Sequence, residues 1–238
     1  MNKTREAEVI QLKNRNRGLF EQDVLNLLNG QAMYDEFSNK RLMGDSDYAP
    51  FNEAMCVNAT TVSIFDHAFI QTRASGHHES VENYSDKVIK PLYNLFNKSY
   101  NNIVLWFGED MFCQMNLLTI LAYLEQSRYK GKVFYNRFRE NEFKVSQTEL
   151  TLGRYYSVYV DVLVNHRKPA HELPPVMDQA IELFLEMQTA DNAVTKYISN
   201  HKHLPVSELL ERLFEVFPNV GYGDTQYIEL IENQNNSK

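Results

Sequence analysis

The chain has 238 residues, of which 43% are hydrophobic, 12% aromatic and 23% charged, with a formal net charge of −7. This composition suits one large domain, or a medium domain with a smaller appendage, and excludes long disorder. No apolar run approaches the roughly 18 residues of a membrane span and the start Met1-Asn-Lys-Thr-Arg-Glu6 lacks the apolar stretch of a signal peptide, so an unexported, cytoplasmic protein is expected.

In chain order, Glu8–Leu12 reads as a first strand running into the basic loop Lys13–Gly18. A helical pattern follows from about Glu21, with Val24, Leu25, Leu27 and Leu28 apolar, and stops at Gly30. Arg41–Pro50 carries a loop signature before the short segment Phe51–Cys56. Ser85-Asp86 caps a helix with Val88, Ile89, Leu92 and Phe96 on one face, and Pro91 bends it or marks its first turn. Next come a strand at 102–107, a long apolar helix from Asp110 to Ser127 and a strand at Gly131–Tyr135. Together they make a βαβ unit, which requires a parallel pair and a right-handed crossover. Tyr155–Val164 is rich in β-branched and aromatic residues, yet Ser157, Asp161 and Asn165 recur every four residues, which favours a helix.

Three prolines between Pro169 and Pro175 mark a boundary. Beyond it, Met177, Ala180, Ile181, Phe184 and Met187 form one helical stripe, Leu209, Leu210, Leu213, Phe214 and Phe217 another, and Asp224 or Thr225 caps a last short helix through Ile231. The expected architecture is an α/β domain with a Rossmann-like parallel sheet over residues 1–165, a Pro-rich linker at 166–175, an acidic all-helical subdomain at 176–232 and a disordered tail at 233–238. Val176–Glu232 holds ten acidic and three basic residues, hence the whole net charge of the protein.

Ligands of α/β proteins bind outside the carboxyl ends of the strands. Glu109 and Asp110 stand at such a place, after a strand and before a helix. One reading makes them a helix cap that complements the dipole. The other adds Gln114, one turn on, with Asn52, Glu53, Arg73 and His67 from neighbouring segments, to line a polar ligand pocket in which the carboxylates could hold Mg²⁺ or act as acid and base. Arg15 and Arg17, with Lys13, form a weak candidate anion site against the alternative of a solvated turn. Trp106, flanked by apolar residues, reads as a buried wedge in the sheet. Cys56 and Cys113 match no metal-ligand spacing and read as reduced core thiols. The histidines His77-His78, His166, His171 and His201/His203 lack companion ligands at metal spacing.

Leu105-Trp-Phe-Gly-Glu-Asp-Met-Phe-Cys-Gln-Met-Asn-Leu-Leu118 resembles the central motif of the bacterial domain of unknown function 1835 family: an apolar strand ending in Leu-Trp-Phe, then an Asp, and a Gln four residues later in a leucine-rich helix. Ala49–Met55 is similar to a proline-containing loop of that family, and Phe217–Ile228 to its terminal block. Where members open with a strand leading into a Gly-Asp-Ser loop, the corresponding region here reads Leu12-Lys-Asn-Arg-Asn-Arg-Gly18. The resemblance implies an α/β first part and a helical end, and no activity.

Function is therefore expected in one of three classes. The first is a binding or regulatory protein for a small polar or nucleotide-like molecule at the strand ends, partnering or dimerising through its acidic helices. The second is a metal-assisted hydrolase or transferase using Glu109 and Asp110. The third is a helix-turn-helix-like protein-interaction module. The last helix, Asp224–Glu232, carries no cation to replace phosphate counterions, which argues against nucleic acid.

Overall fold

Strand β1 (Val24–Asn29) is an interior strand of the sheet with Val24–Leu28 all buried, and this explains why its apolar residues follow no simple alternation. The computed structural model describes residues 3–19, 23–138 and 145–236. With β2 (Asp47–Phe51), β3 (Asn102–Gly108), β4 (Lys132–Phe138) and β5 (Val145–Leu150) it forms a five-stranded sheet in the order β2-β1-β3-β4-β5. The first four strands are parallel; β5 pairs antiparallel with β4.

Three expectations are corrected here. Residues 8–12 belong to helix α1 (Lys3–Arg15), not to a strand: Val9 and Leu12, three apart, face the sheet while Ile10 is exposed. The apolar segment at 24–28 is strand β1, not a helix. Asn26 sits in its core because Ser46 Oγ and Trp106 Nε1 satisfy its amide, at 2.8 and 2.9 Å. The stretch expected as a loop at 41–50 also contains β2, which tolerates Pro50 because it is an edge strand.

Side-chain alternation divides the core. Val24, Leu28, Val104 and Trp106 point to the face covered by α1 and α2 (Gln31–Asn39), with Phe37 edge-on to the buried Trp106 at 4.8 Å. Leu25, Leu27, Ile103, Leu105 and Phe107 point to the opposite face. There α3 (His67–Gly76), a broken helix and α6 (Met111–Gln126) pack. α6 is buried on most sides because α7 (Tyr155–Tyr159) and α8 (Pro175–Met187) cover it. The broken helix comprises α4 (Val81–Tyr84), a π-helical turn Ser85–Ile89, a 3-10 turn Lys90–Leu92 and α5 (Tyr93–Asn97); Ser80 caps it, five residues before the expected cap. Pro91, which has no amide hydrogen, is the cause of the break. The carbonyl of Lys87, which a residue with an N–H at 91 would have used, accepts instead from Asn52 Nδ2 at 3.1 Å.

The helix expected at 155–164 is α7 followed by a π-helical turn, Val160–Val164. Beyond it lie α8, α9 (Ala193–Asn200), α10 (Val206–Val216) and α11 (Asp224–Asn236). Met177, Ile181, Phe184, Ile198, Leu213, Val220 and Tyr227 join the same core as Leu25, Leu27, Ile103, Leu105 and Phe107, so the helical region closes over α6. α11 continues through residues expected as a frayed tail, as far as Asn236, where Gln234 bonds to Ser199 and Lys202 of the helix before it; residues 237–238 lie outside the described residues. Among the described residues no helix is long and apolar enough to cross a membrane.

Candidate ligand pocket at the ends of β1 and β2

The chain leaves β1 toward one face of the sheet and β3 toward the other, so a crevice opens between their carboxyl ends, the usual ligand position in a doubly wound sheet. On the β1–β2 side of this crevice is a cavity of about 370 Å³. Its walls are Asn29-Gly30-Gln31 at the end of β1, Phe51–Ala54 at the end of β2, His77 and Glu79 after α3, Tyr84, Lys87 and Val88 on the broken helix, and Phe112 on α6. Gly30 holds φ at 93°, which L side chains rarely adopt, and open space lies where its Cβ would be. It leads directly into α2, whose first turn has no side-chain cap.

Buried amides fix the floor. Asn29 Nδ2 donates to Cys113 Sγ at 2.9 Å, and its Oδ1 accepts from Asn116 Nδ2 at 2.9 Å. Asn116 also donates to the carbonyl of Glu53 (2.6 Å) and accepts from Met55 N (2.9 Å), so α6 locks the ends of β1 and β2 together. At the rim, Asn52 Nδ2 donates to Gln31 Oε1 at 2.9 Å and Lys87 pairs with Glu79.

Behind this wall lies the most polar part of the interior. Glu53 and Arg73 are both buried, with Arg73 Nη2 2.7 Å from Glu53 Oε1 and Nε 3.4 Å from Oε2. Arg73 also donates to the carbonyls of Ala54, Val57, Asn58 and Ala59, which satisfies its fork. Glu53 further accepts from Ala54 N at 2.8 Å, from the Tyr84 hydroxyl, and from His77 Nε2 at 2.7 Å. Burial alone pushes the Glu53 carboxyl up, but the hydrogen bond from His77 and the charge and hydrogen bonds of Arg73 outweigh it and hold the group well below the ordinary carboxylate range. Tyr84, pushed up by burial and by Glu53, stays a protonated donor. Within this network His77 is the partly open member, its side chain a quarter exposed at the cavity wall.

Of the residues expected at the site, the structure brings together Asn52 and Glu53 in the cavity wall, with Arg73 directly behind. His67 stands apart, exposed at the amino-terminal end of α3. Asp110 is the N-cap of α6: its Oδ1 accepts from Cys113 N at 2.8 Å. The two amides before it, of Met111 and Phe112, donate to the carbonyls of Asn219 and Val220 at 2.8 and 3.2 Å. The carboxy-terminal segment thus occupies the start of this helix. Glu109 pairs with Arg137 Nε at 2.9 Å, and Gln114 Nε2 donates to Gly108 O at 2.6 Å and Tyr135 Oη at 2.8 Å. Burial and the nearby Asp110 push the Cys113 thiol well up, which makes it a poor nucleophile. Arg15 is exposed at the end of α1 and Arg17 opens a 3-10 turn at Arg17–Leu19.

His77, Tyr84 and Lys87 are site residues that the sequence reading missed. One signal was present: Arg73 and His77 stand four apart, so a helix at 67–76 puts both on one side. Among the described residues no group of three or more His, Cys, Asp or Glu is placed to hold a metal ion. The fold is that of a doubly wound α/β protein with a helical carboxy-terminal region. No family model matches the chain, and comparisons with curated proteins and with solved structures gave no match.

Proposed function

We propose that this protein binds a small polar, nucleotide-like molecule in the cavity at the ends of β1 and β2, and that it works as a binding or regulatory protein. The observation that carries this reading is the cavity itself. Its volume of about 370 Å³ lies within the ~300–1,000 Å³ of small-molecule sites, and it sits beside the point where the chain switches faces. Apolar walls from Phe51, Val88 and Phe112 face a rim of Gln31, Asn52, His77 and Lys87, a combination that buries a ring and orients it by a few polar contacts. Two free, well-covered thiols, Cys56 and Cys113, fit a reducing compartment such as the cytoplasm.

The test is a thermal-shift screen of nucleotides, phosphosugars and divalent ions. A ligand at ~100 times its dissociation constant adds about 2.7 kcal/mol, or roughly 5–10 °C for a chain of this size. Lys87→Ala, at an exposed position, should reduce that shift while leaving the melting temperature of the free protein unchanged. A screen without concentration-dependent stabilisation by any compound refutes the reading. Partnering through the carboxy-terminal helices belongs to the same proposal: α10 exposes Val206, Phe214 and Val216 among its glutamates, and light scattering of the purified chain tests for a dimer.

A further inference from the structure

We infer that the exposed side of α10 docks a basic amphipathic helix of another protein; this rests on the partnering through the carboxy-terminal helices proposed above. Among the described residues seven large hydrophobic side chains are exposed, and three of them, Val206, Phe214 and Val216, stand on the 11 residues of α10. Such residues are ordinary when scattered singly, but three on one short helix are not. Val206, Leu210, Phe214 and Phe217 follow one another at steps of four, four and three, so they share a side of the helix and make a row about 16 Å long. Leu209 and Leu213, beside this row, are buried and already hold α10 in the fold. The row is apolar surface beyond what that packing uses. Its two rings are fixed: Phe214 stands edge-on to Tyr227 at 5.4 Å, and Phe217 edge-on to Tyr197 at 5.6 Å. A partner therefore meets a surface that needs little ordering on binding.

Charge selects the occupant. On the side of the row away from the core stand Glu211 and Glu215, both exposed, while the one basic residue of the helix, Arg212, pairs with Glu208 at 2.7 Å. From Val206 to Glu232 there are six acidic side chains and one basic, a net of −5. Anionic lipid and nucleic acid are repelled by such a field. A second copy seated on the same face about a two-fold axis brings these glutamates against their own counterparts, a like-charge contact. A helix with an apolar row flanked by Lys or Arg meets both features at once: its row packs along that of α10, and its cations lie over Glu211 and Glu215.

The experiment is fluorescence anisotropy of a labelled Leu/Lys peptide, about four helical turns long with its leucines on one face, titrated with the full-length protein. Its control has the same composition with the leucines scattered round the helix. A contact of so few turns is at the small end of specific interfaces, so micromolar affinity is expected, weakened by salt and at least ~10-fold tighter than that of the control. Phe214→Ser should lose ~10-fold or more, and so should Glu211→Lys/Glu215→Lys, whose binding should also lose its salt dependence. Tyr93→Ser, at an exposed position on α5, should leave the affinity unchanged. If Phe214→Ser does not fold, Val206→Ser at the exposed start of α10 takes its place, with the same direction expected. The inference is overturned if the two peptides bind alike, if neither binds, or if binding survives these substitutions. Light scattering of the protein alone separates the two readings. A dimer that Phe214→Ser or Val206→Ser dissociates puts a second copy on this face, so the partnering reading stands and the basic-helix inference fails; a monomer that binds neither peptide ends both.

Discussion

Gly221→Ala tests whether the carboxy-terminal segment is the stopper of α6. Gly221 has φ 72°, and a Cβ built there would stand 2.1 Å from Asp110 Oδ1, 2.5 Å from its Cγ and 2.8 Å from its Cβ. The left-handed backbone alone costs alanine about 1 kcal/mol. Making room means turning Asp110 away from Cys113 N, a lost cap of about 1 kcal/mol, or lifting Asn219 and Val220 off the first amides, about 1 kcal/mol for each hydrogen bond. The total is roughly 2–4 kcal/mol, and at ~2–4 °C per kcal/mol the melting temperature falls by roughly 5–15 °C. Asp110→Ala alone should cost only about 1 kcal/mol, and it removes the two shortest approaches, to Oδ1 and Cγ, while the 2.8 Å approach to the Cβ at 110 stays. The pair must therefore be non-additive: in the Asp110→Ala background, Gly221→Ala should cost less than in the parent, its backbone strain of about 1 kcal/mol plus the small shift that the Cβ at 110 requires. Urea unfolding followed by circular dichroism measures all four proteins. A Gly221→Ala variant within about 0.5 kcal/mol of the parent, or strict additivity, refutes the packing described.

The remaining predictions concern the buried polar groups. Arg73→Met should cost about 3–5 kcal/mol by leaving Glu53 buried without its partner, and the double variant Glu53→Leu/Arg73→Met should be more stable than Arg73→Met alone; denaturant midpoints decide. Because the folded state holds the Glu53 carboxyl below its unfolded value, its stabilisation is fully present above the ordinary carboxylate range and is lost as pH falls through and below that range. Melting temperatures from pH 6 down to pH 3, where the parent should lose more than Glu53→Leu/Arg73→Met, measure this. Trp106→Phe should cost about 1–3 kcal/mol by orphaning Asn26 Oδ1 in the core, and the Asn26→Leu/Trp106→Phe pair should recover part of it in the same urea assay.

The βαβ unit at 102–138 was legible because its helix is long and its first strand apolar throughout. β1 was not, for a physical reason. A central strand buried on both faces has apolar residues at 24, 25, 27 and 28, a spacing that a helix also produces, and Asn26 in its middle looks solvent-facing until Trp106 and Ser46 are seen beside it. Asn52, Glu53 and Arg73 were legible only as polar residues of segments neighbouring the strand ends. His77 was not, because its partner Glu53 lies 24 residues away on another element. The α6 stopper had still less of a signature: it acts through backbone carbonyls, which leave no trace in residue type beyond the glycine that lets them approach.

That stopper also sets an order of events. Met111 and Asn219 are separated by more than 100 positions, so the residues of the sheet and α6 are all synthesised before the carbonyls that finish α6. During that interval the start of the helix is open to water and to any anion in the crevice. Closing it later costs the entropy of a long loop, and contacts of such separation form slowly. A chain ending before Asn219 would therefore lack the carbonyls that accept from Met111 and Phe112, and the first turn of α6 would depend on the Asp110 cap and on water.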